Sequence, residues 1–198
     1  MLKKVKRSIL IGMCFGDAYL KVDRRYGTGS ISIVHCEAQS EYIHYKANLL
    51  SEILNAEVVV KQIDNNGYPG LRIDKGAKIF RLLRQRMYNP DKSKQFTRKN
   101  LDKLTPEGIA IWYMDDGSLT AKKKNGKIHA YELTINTYES AEVNDVIIQY
   151  FKDIHDISFT KVLSKGLYRL RCGTKQARKF CALIAPHIIL SMQYKLLT

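Results

Sequence analysis

Two aspartates, Asp17 and Asp116, end apolar stretches that carry no polar stripe. Ser8–Tyr19 holds Ile9, Leu10, Met13, Cys14 and Phe15; Pro106–Leu119 holds Ile109, Ala110, Ile111, Trp112, Tyr113 and Met114. Helices apolar on every side are buried, and an acid at a helix C-terminus stands on the unfavourable end of the dipole. One such residue needs no special cause. Two of them, 116 − 17 = 99 residues apart in a chain of net charge +14, do. If the two helices pack together, their carboxylates meet and raise each other's pKa. A divalent cation relieves that conflict, and an all-oxygen site suits Mg²⁺, which keeps waters and completes its shell with phosphate.

The elements that must position these acids come in duplicate. After each apolar helix an alternating, β-branched segment predicts a half-buried strand, Gly29–Val34 and Tyr131–Asn136. Amphipathic helices follow over Glu41–Leu54 and Ala141–Ile154. Hairpin patterns come next: Val58–Ile63 and Leu71–Ile73 flank Asn65-Asn66-Gly67, and Phe159–Leu163 and Tyr168–Arg171 flank Ser164-Lys165-Gly166. Basic amphipathic helices over Ala77–Tyr88 and Thr174–Ile184 close the two copies. Helix–strand–helix–hairpin–helix thus occurs twice. The division is a first repeat over 1–88, a basic linker over 89–105 that carries Pro90, and a second repeat over 106–198. Gly12 and Gly16, four apart, fall on one side of the first helix and allow another backbone to approach.

Thirty-three Lys and Arg against 19 Asp and Glu in 198 residues imply a polyanionic partner, while an apolar fraction of 45% excludes a disordered basic tail. No apolar run approaches the roughly 20 residues that span a bilayer, and neither basic amphipathic helix stands out enough to support a membrane-surface role. The basic N-terminus with apolar Ile9–Phe15 imitates a signal peptide, but the run meets Asp17 and lacks a small-residue cleavage site. Cys14, Cys36, Cys172 and Cys181 form no CxxC pair and are expected to be reduced core cysteines. These features predict an intracellular, non-secreted protein. The five histidines show no metal-site spacing and are expected in core or surface roles. A leading Cys or Ser and a terminal His-Asn do not frame the chain, which favours a free-standing or intron-encoded protein over an intein.

Basic residues cluster in three places: eight in 81–103, seven and no acid in 161–179, and the lysines 122–124 and 127. Such numbers would release condensed counterions from DNA. A two-stranded ribbon can enter a major groove, so strand residues that recur between the halves are candidate DNA contacts. They are Ser32, Lys61, Arg72 and Lys75 in the first half, and Lys122, Asn136, Lys161, Arg169 and Arg171 in the second. A one-residue slip in register reverses which face each presents.

Leu10-Ile-Gly-Met-Cys-Phe-Gly-Asp-Ala18 and Ile109-Ala-Ile-Trp-Tyr-Met-Asp-Asp-Gly117 resemble the two signature motifs of the LAGLIDADG homing endonucleases. Gly16-Asp-Ala-Tyr-Leu20, Leu104-Thr-Pro106, Trp112–Gly117 and Met192-Gln-Tyr-Lys-Leu196 are similar to the subgroup of the yeast mitochondrial omega-intron endonuclease. Phe15 replaces the first acid of the first motif and Ala18 its last glycine, while Ile111 and Asp115 stand where small packing residues are common.

The resemblance implies an α+β fold, a pseudo-two-fold tandem duplication of an αββαββα-like unit. Two antiparallel sheets would form a DNA-binding saddle around two central packed helices. It implies a monomeric Mg²⁺-dependent endonuclease that binds a long asymmetric duplex and hydrolyses one phosphodiester per strand, leaving 3′ overhangs. Two or more ions are expected, with Mn²⁺ able to substitute. Asp17 and Asp116 would be metal ligands, with the carbonyls of Gly16 and Asp115 completing part of the shell; Lys94 and Lys195 would position water and offset charge on phosphate. The setting it implies is beside DNA, in a bacterial or phage cytoplasm or an organelle matrix. The rival readings on the same scaffold are a maturase with intron RNA as partner and a catalytically silent DNA-binding regulator.

Overall fold

Pro106 opens a helix whose first N–H groups need no partner, and in the computed structural model that helix packs directly on the one ending at Phe15. The structure describes residues 1–23, 27–65 and 67–197. The first half runs α1 (Lys3–Phe15), β1 (Tyr19–Asp23), β2 (Thr28–Cys36), α2 (Ser40–Leu54), β3 (Val60–Asn65), β4 (Tyr68–Ala77) and α3 (Lys78–Met87). A short helix, α4 (Arg98–Leu101), lies between the halves. The second half repeats the order with α5 (Pro106–Asp116), β5 (Gly117–Lys124), β6 (Lys127–Glu139), α6 (Ala141–His155), β7 (Thr160–Ser164), β8 (Leu167–Gly173) and α7 (Thr174–Ile184). Two antiparallel four-stranded sheets result, ordered β1-β2-β4-β3 and β5-β6-β8-β7.

This is the expected α+β duplication, with one strand more in each half than alternation alone revealed. β1 and β5 follow directly on the aspartate-bearing helix ends and pair with β2 and β6. The duplication extends to helix ends. α2 and α6 are both 15 residues long and both stop at a left-handed residue, Asn55 and Asp156, each with φ 50°. Asn and Asp are the non-glycine residues that tolerate this conformation best. Ser140 also caps α6 by accepting from the Val143 N–H at 3.3 Å, a contact worth about 1 kcal/mol.

The core is continuous across the halves. Ile9–Ile11, Met13–Phe15 and Ile109–Met114 are all buried, so α1 and α5 have almost no solvated face along these runs. Phe15, the residue in place of the first motif acid, stacks on Phe96 at 4.3 Å between ring centroids and lies 5.2 Å from the Trp112 ring. Burying each such side chain contributes roughly 1.5–3 kcal/mol. Cys14, Cys172 and Cys181 are buried free thiols, but Cys36, at the exposed end of β2, is not a core cysteine. Asn66 of the first hairpin turn lies outside the described residues. Among the described residues no helix is long and apolar enough to cross a membrane.

Helices cover one face of each sheet and leave the other open. In β2 the buried residues Gly29, Ile31, Ile33 and His35 alternate with Ser30, Ser32, Val34 and Cys36 on the uncovered face. Register then assigns every neighbour, since paired residues share a face.

Candidate active site

Each apolar helix delivers its aspartate to one cleft of about 510 Å³, lined by Asp17 and Asp116 together with Lys94, Asn136 and Glu139. α1 ends at Gly16, whose N–H donates to the Gly12 carbonyl, and the Ala18 N–H returns to the Met13 carbonyl at 2.9 Å. Asp17 is thereby left just beyond the last turn. α5 continues through Asp116 and stops where the Gly117 N–H bonds back to the Tyr113 carbonyl.

Burial and the neighbouring carboxylates work against ionisation here. Burial pushes the Asp116 carboxyl up to about 7; Asp115 and Asp17 push the same way, and Lys94 opposes them. Asp17 is also raised, first by burial and then by Asp115, against the pull of Lys46, Lys94 and Lys195.

The two lysines occupy equivalent places. Lys94 Nζ donates to the Phe15 carbonyl at 3.1 Å and to the Gly16 carbonyl, at the end of α1. Lys195, at the end of a 3₁₀ turn over Leu190–Lys195, donates to the Met114 carbonyl at 2.6 Å, at the end of α5. Each ammonium therefore faces the negative end of a helix dipole, next to the aspartate that the dipole disfavours. Burial holds the Lys195 ammonium below its usual pKa, although all three nearby aspartates oppose the shift.

Asp115 behaves differently from Asp116. Its carboxylate has no exposed surface and pairs with Lys46 of α2, itself fully buried, at 2.5 Å. The other oxygen accepts the Asp17 backbone N–H at 3.0 Å. Lys46 also lies 3.0 Å from His35 Nε2. What solvent reaches at Asp115 is main chain, because the residue is partly exposed while its side chain is not. A divalent cation at this cleft would meet the Asp17 and Asp116 carboxylates and the main chain of Gly16. The Gly16 carbonyl accepts from Lys94. The donor set is all oxygen and suits Mg²⁺ or Mn²⁺. Atoms of Asp17, His35 and Asp115 also approach within 4.8 Å of one another, but the Lys46 ammonium fills the space beside two of them.

Sequence reasoning placed His35 among core or surface residues and did not single out Lys46. The signal for Lys46 was a lysine inside the apolar stripe Tyr42, Ile43, Ala47 and Leu50.

The strand residues divide by register. Val34, Arg72 and Lys61 pair across β2, β4 and β3 on the uncovered face, where Ser32 pairs with Tyr19 and Asp74. Arg72 Nε contacts Asp74 at 2.5 Å. In the second sheet Thr134 pairs with Arg171, and Arg171 with Thr160, so Arg169 and Arg171 share the uncovered face. Lys122, beside the bulge of β5, contacts Glu132 at 3.2 Å. Asn136 lines the cleft, and among the described residues its buried Oδ1 and the buried Arg169 Nε have no hydrogen-bond partner.

Lys75 and Lys161 separate from this set. Lys75 pairs with buried Ile31 and donates to the Glu57 carbonyl at 2.5 Å. Lys161 pairs with buried Leu170 and bonds Asp145 of α6 at 2.6 Å. Both stand on the helix-covered face, so the apparent recurrence of Lys61 as Lys161 is not an equivalence in space.

Comparison with known proteins agrees with this geometry. The sequence pattern of the LAGLIDADG DNA endonuclease family matches residues 7–180. The homing endonuclease I-WcaI, solved bound to its DNA recognition sequence, superposes with a TM-score of 0.82 at 22% identity, over 100% of this chain and 88% of that one. I-DmoI, solved with DNA and Ca, gives a TM-score of 0.54 at 16% identity, over 91% of this chain and 89% of that one. Protein RecA of Mycolicibacterium chitae is 28% identical over 200 residues, 96% of this chain but 45% of that protein. The Methanocaldococcus jannaschii protein MJ1098 is 36% identical over 113 residues, 56% of this chain and 41% of that protein. The chain thus spans about half the length of the curated relatives it matches. A family pattern across most of the chain, two motif helices and a duplicated fold converge on one assignment: the chain belongs to the LAGLIDADG DNA endonuclease family.

Proposed function

We propose that the protein is a monomeric, site-specific homing endonuclease that hydrolyses one phosphodiester in each strand of a long asymmetric DNA target and leaves 3′ overhangs. The observation that carries this reading is the pairing of Asp17 and Asp116 in one cleft, each beside a lysine at its helix end. Two acids related by a pseudo-dyad match the dyad of a duplex, and the duplication supplies them. DNA- and metal-bound structures of similar folds, among them I-DmoI with Ca and with Mn, support a divalent ion as cofactor. We assign two or more Mg²⁺ ions, replaceable by Mn²⁺, to Asp17, Asp116 and main-chain oxygens of Gly16 and Asp115.

When bound, the metal lowers the pKa of a water and stabilises charge on phosphate. The chain's own residues do the rest. Asp17 and Asp116 fix the ions from opposite halves. Lys94 and Lys195 offset the three clustered carboxylates and, on release from their carbonyls, can reach phosphate oxygens. Arg72, Lys61 and Ser32 on one open sheet, and Arg169, Arg171, Lys122 and Asn136 on the other, hold the duplex. Arginine can read guanine bidentately, and lysine and serine fix phosphates. The setting consistent with this chemistry is intracellular, beside DNA.

The test is selection of cleaved sites from a random duplex library in Mg²⁺, with the wild type compared with Asp17→Asn and Asp116→Asn. The wild type should yield double-strand breaks at one family of sites; both variants should bind those sites without breaking both strands. Full cutting by either variant removes that acid from the mechanism. No cutting by the wild type on any target leaves the maturase reading in its place.

A further inference from the structure

The two halves of the cleft are not equivalent, and one buried cation makes the difference. Asp115 precedes Asp116, whereas the residue before Asp17 is Gly16. Lys46 is the seventh residue of α2, and the seventh residue of the equally long α6 is Ile147. Both are fully buried, so the second half has an apolar side chain where the first has an ammonium. Lys46 is held on several sides: Asp115 Oδ1 at 2.5 Å, His35 Nε2 at 3.0 Å and the Tyr42 ring at 4.4 Å. Tyr42 in turn donates its hydroxyl to the Ile111 carbonyl of α5 at 3.1 Å.

The histidine is matched to the lysine. Its Nε2 accepts from the ammonium, which leaves the proton on Nδ1, 2.7 Å from Gln39 Oε1. That chain of contacts ends at the cleft, because the second Asp115 oxygen receives the Asp17 N–H. The contact is demanding in shape: a β-carbon on Gly16 would lie 2.0 Å from Asp115 Oδ2, so glycine is required where the carboxylate crosses.

We propose that Lys46 is a positioning residue for the first aspartate: through its ion pair it fixes the Asp115 carboxylate, which holds the Asp17 backbone N–H and so sets where the Asp17 carboxylate points. A buried carboxylate that is already neutralised cannot compete with Asp17 for a cation, and cannot turn to leave the Asp17 main chain free. The second aspartate needs no such device, because it lies within the last turn of α5 and is oriented by the helix itself. The structural part of this proposal stands alone. Its catalytic consequence rests on the nuclease reading above.

The experiment uses amide hydrogen exchange in the metal-free, full-length protein. The wild-type Asp17 amide should exchange at least tenfold more slowly than an unstructured amide, although Asp17 stands beyond the end of α1. Lys46→Met should raise its exchange at least tenfold while the Phe15 and Gly16 amides stay protected. The double variant Lys46→Met/Asp115→Asn keeps an oxygen for the Asp17 N–H and leaves no unpaired buried charge, so it should return protection to within threefold. It also decides the case in which Lys46→Met alone does not fold.

On a cleaved target, Lys46→Met should slow single-turnover cleavage at least tenfold with DNA affinity in EDTA within threefold of wild type. An unprotected wild-type Asp17 amide overturns the proposal. So does a folded Lys46→Met with wild-type protection and rate, a loss of protection spread evenly through α1 and α5, or a folded double variant that stays unprotected at Asp17. A wild type that cuts no target would remove the nuclease reading, and the exchange result would still decide this one.

Discussion

Gly12 of α1 and Gly108 of α5 face each other so closely that a β-carbon on Gly12 would lie 2.1 Å from the Gly108 carbonyl oxygen. A β-carbon on Gly108 would meet Ser8 Oγ at 2.2 Å and the Ser8 carbonyl at 2.4 Å. Ser8 Oγ already accepts the Thr105 N–H at 2.7 Å, which ties the start of α5 to α1. The obstruction is mostly backbone, so no rotamer change can relieve it, and the helices must separate. Gly12→Ala and Gly108→Ala are each expected to destabilise the protein by about 3 kcal/mol, at the upper end for overpacked cores. Urea denaturation in EDTA measures this. The same separation would move Asp17 from Asp116, so any folded variant should also lose double-strand cleavage.

The charge state of Asp116 predicts an unusual pH dependence. Its carboxyl titrates at about 7 in the folded protein against 3.8 for the ordinary value. Between those values the folded state holds a proton that the unfolded chain releases, so metal-free stability falls as pH rises through this window. Asp17, raised as well, adds to the same slope. Asp116→Asn should therefore raise the melting temperature in EDTA at pH 8, by an amount equivalent to about 4 kcal/mol at most, and change it little at pH 4. Saturating Mg²⁺ at pH 8 should narrow the gap, because the cation then offsets the charge that Asn removes. Equal stabilisation by Asn at both pH values would show that the carboxyl is not held protonated.

Much of this arrangement is visible in the sequence because it is written twice. The apolar helices, the amphipathic α2 and α6 and the closing α7 follow from periodicity, and Thr174–Ile184 is bounded in the sequence as it is in the structure. β1 and β5 were less visible. Tyr19–Asp23 is short and Thr120–Lys124 is exposed, so neither shows clean alternation of buried and solvated residues. The acids at the cleft were legible from an electrostatic anomaly, an aspartate on the wrong end of a helix. Lys46 was not, because a single lysine in an amphipathic helix ordinarily bends its amine to solvent. Its charged partner lies 69 residues away, out of reach of any local pattern.

Register decides which basic residues can touch DNA, and this can be measured. Arg169 and Arg171 flank Leu170 in β8, and Leu170 is fully buried, so both arginines lie on the face the helices leave open. Lys161 pairs with Leu170 itself and bonds Asp145 behind the sheet; Lys75 pairs with Ile31 and bonds the Glu57 carbonyl. Charge alone would make all four equal, since each adds one cation to a strongly basic protein. Position makes them unequal, because a phosphate contact releases a counterion only where the side chain reaches the duplex. Arg169→Ala and Arg171→Ala should each lower affinity for the cleaved target in Ca²⁺ about tenfold, and each reduce the slope of log affinity against log salt by about 1. Lys75→Ala and Lys161→Ala should leave both quantities within threefold and within about 0.3. Their partners are backbone or partly exposed acid, so a stability loss of at most about 1 kcal/mol is expected for Lys161→Ala. Equal losses of affinity for all four variants would mean that general charge, not the uncovered face of each sheet, governs binding.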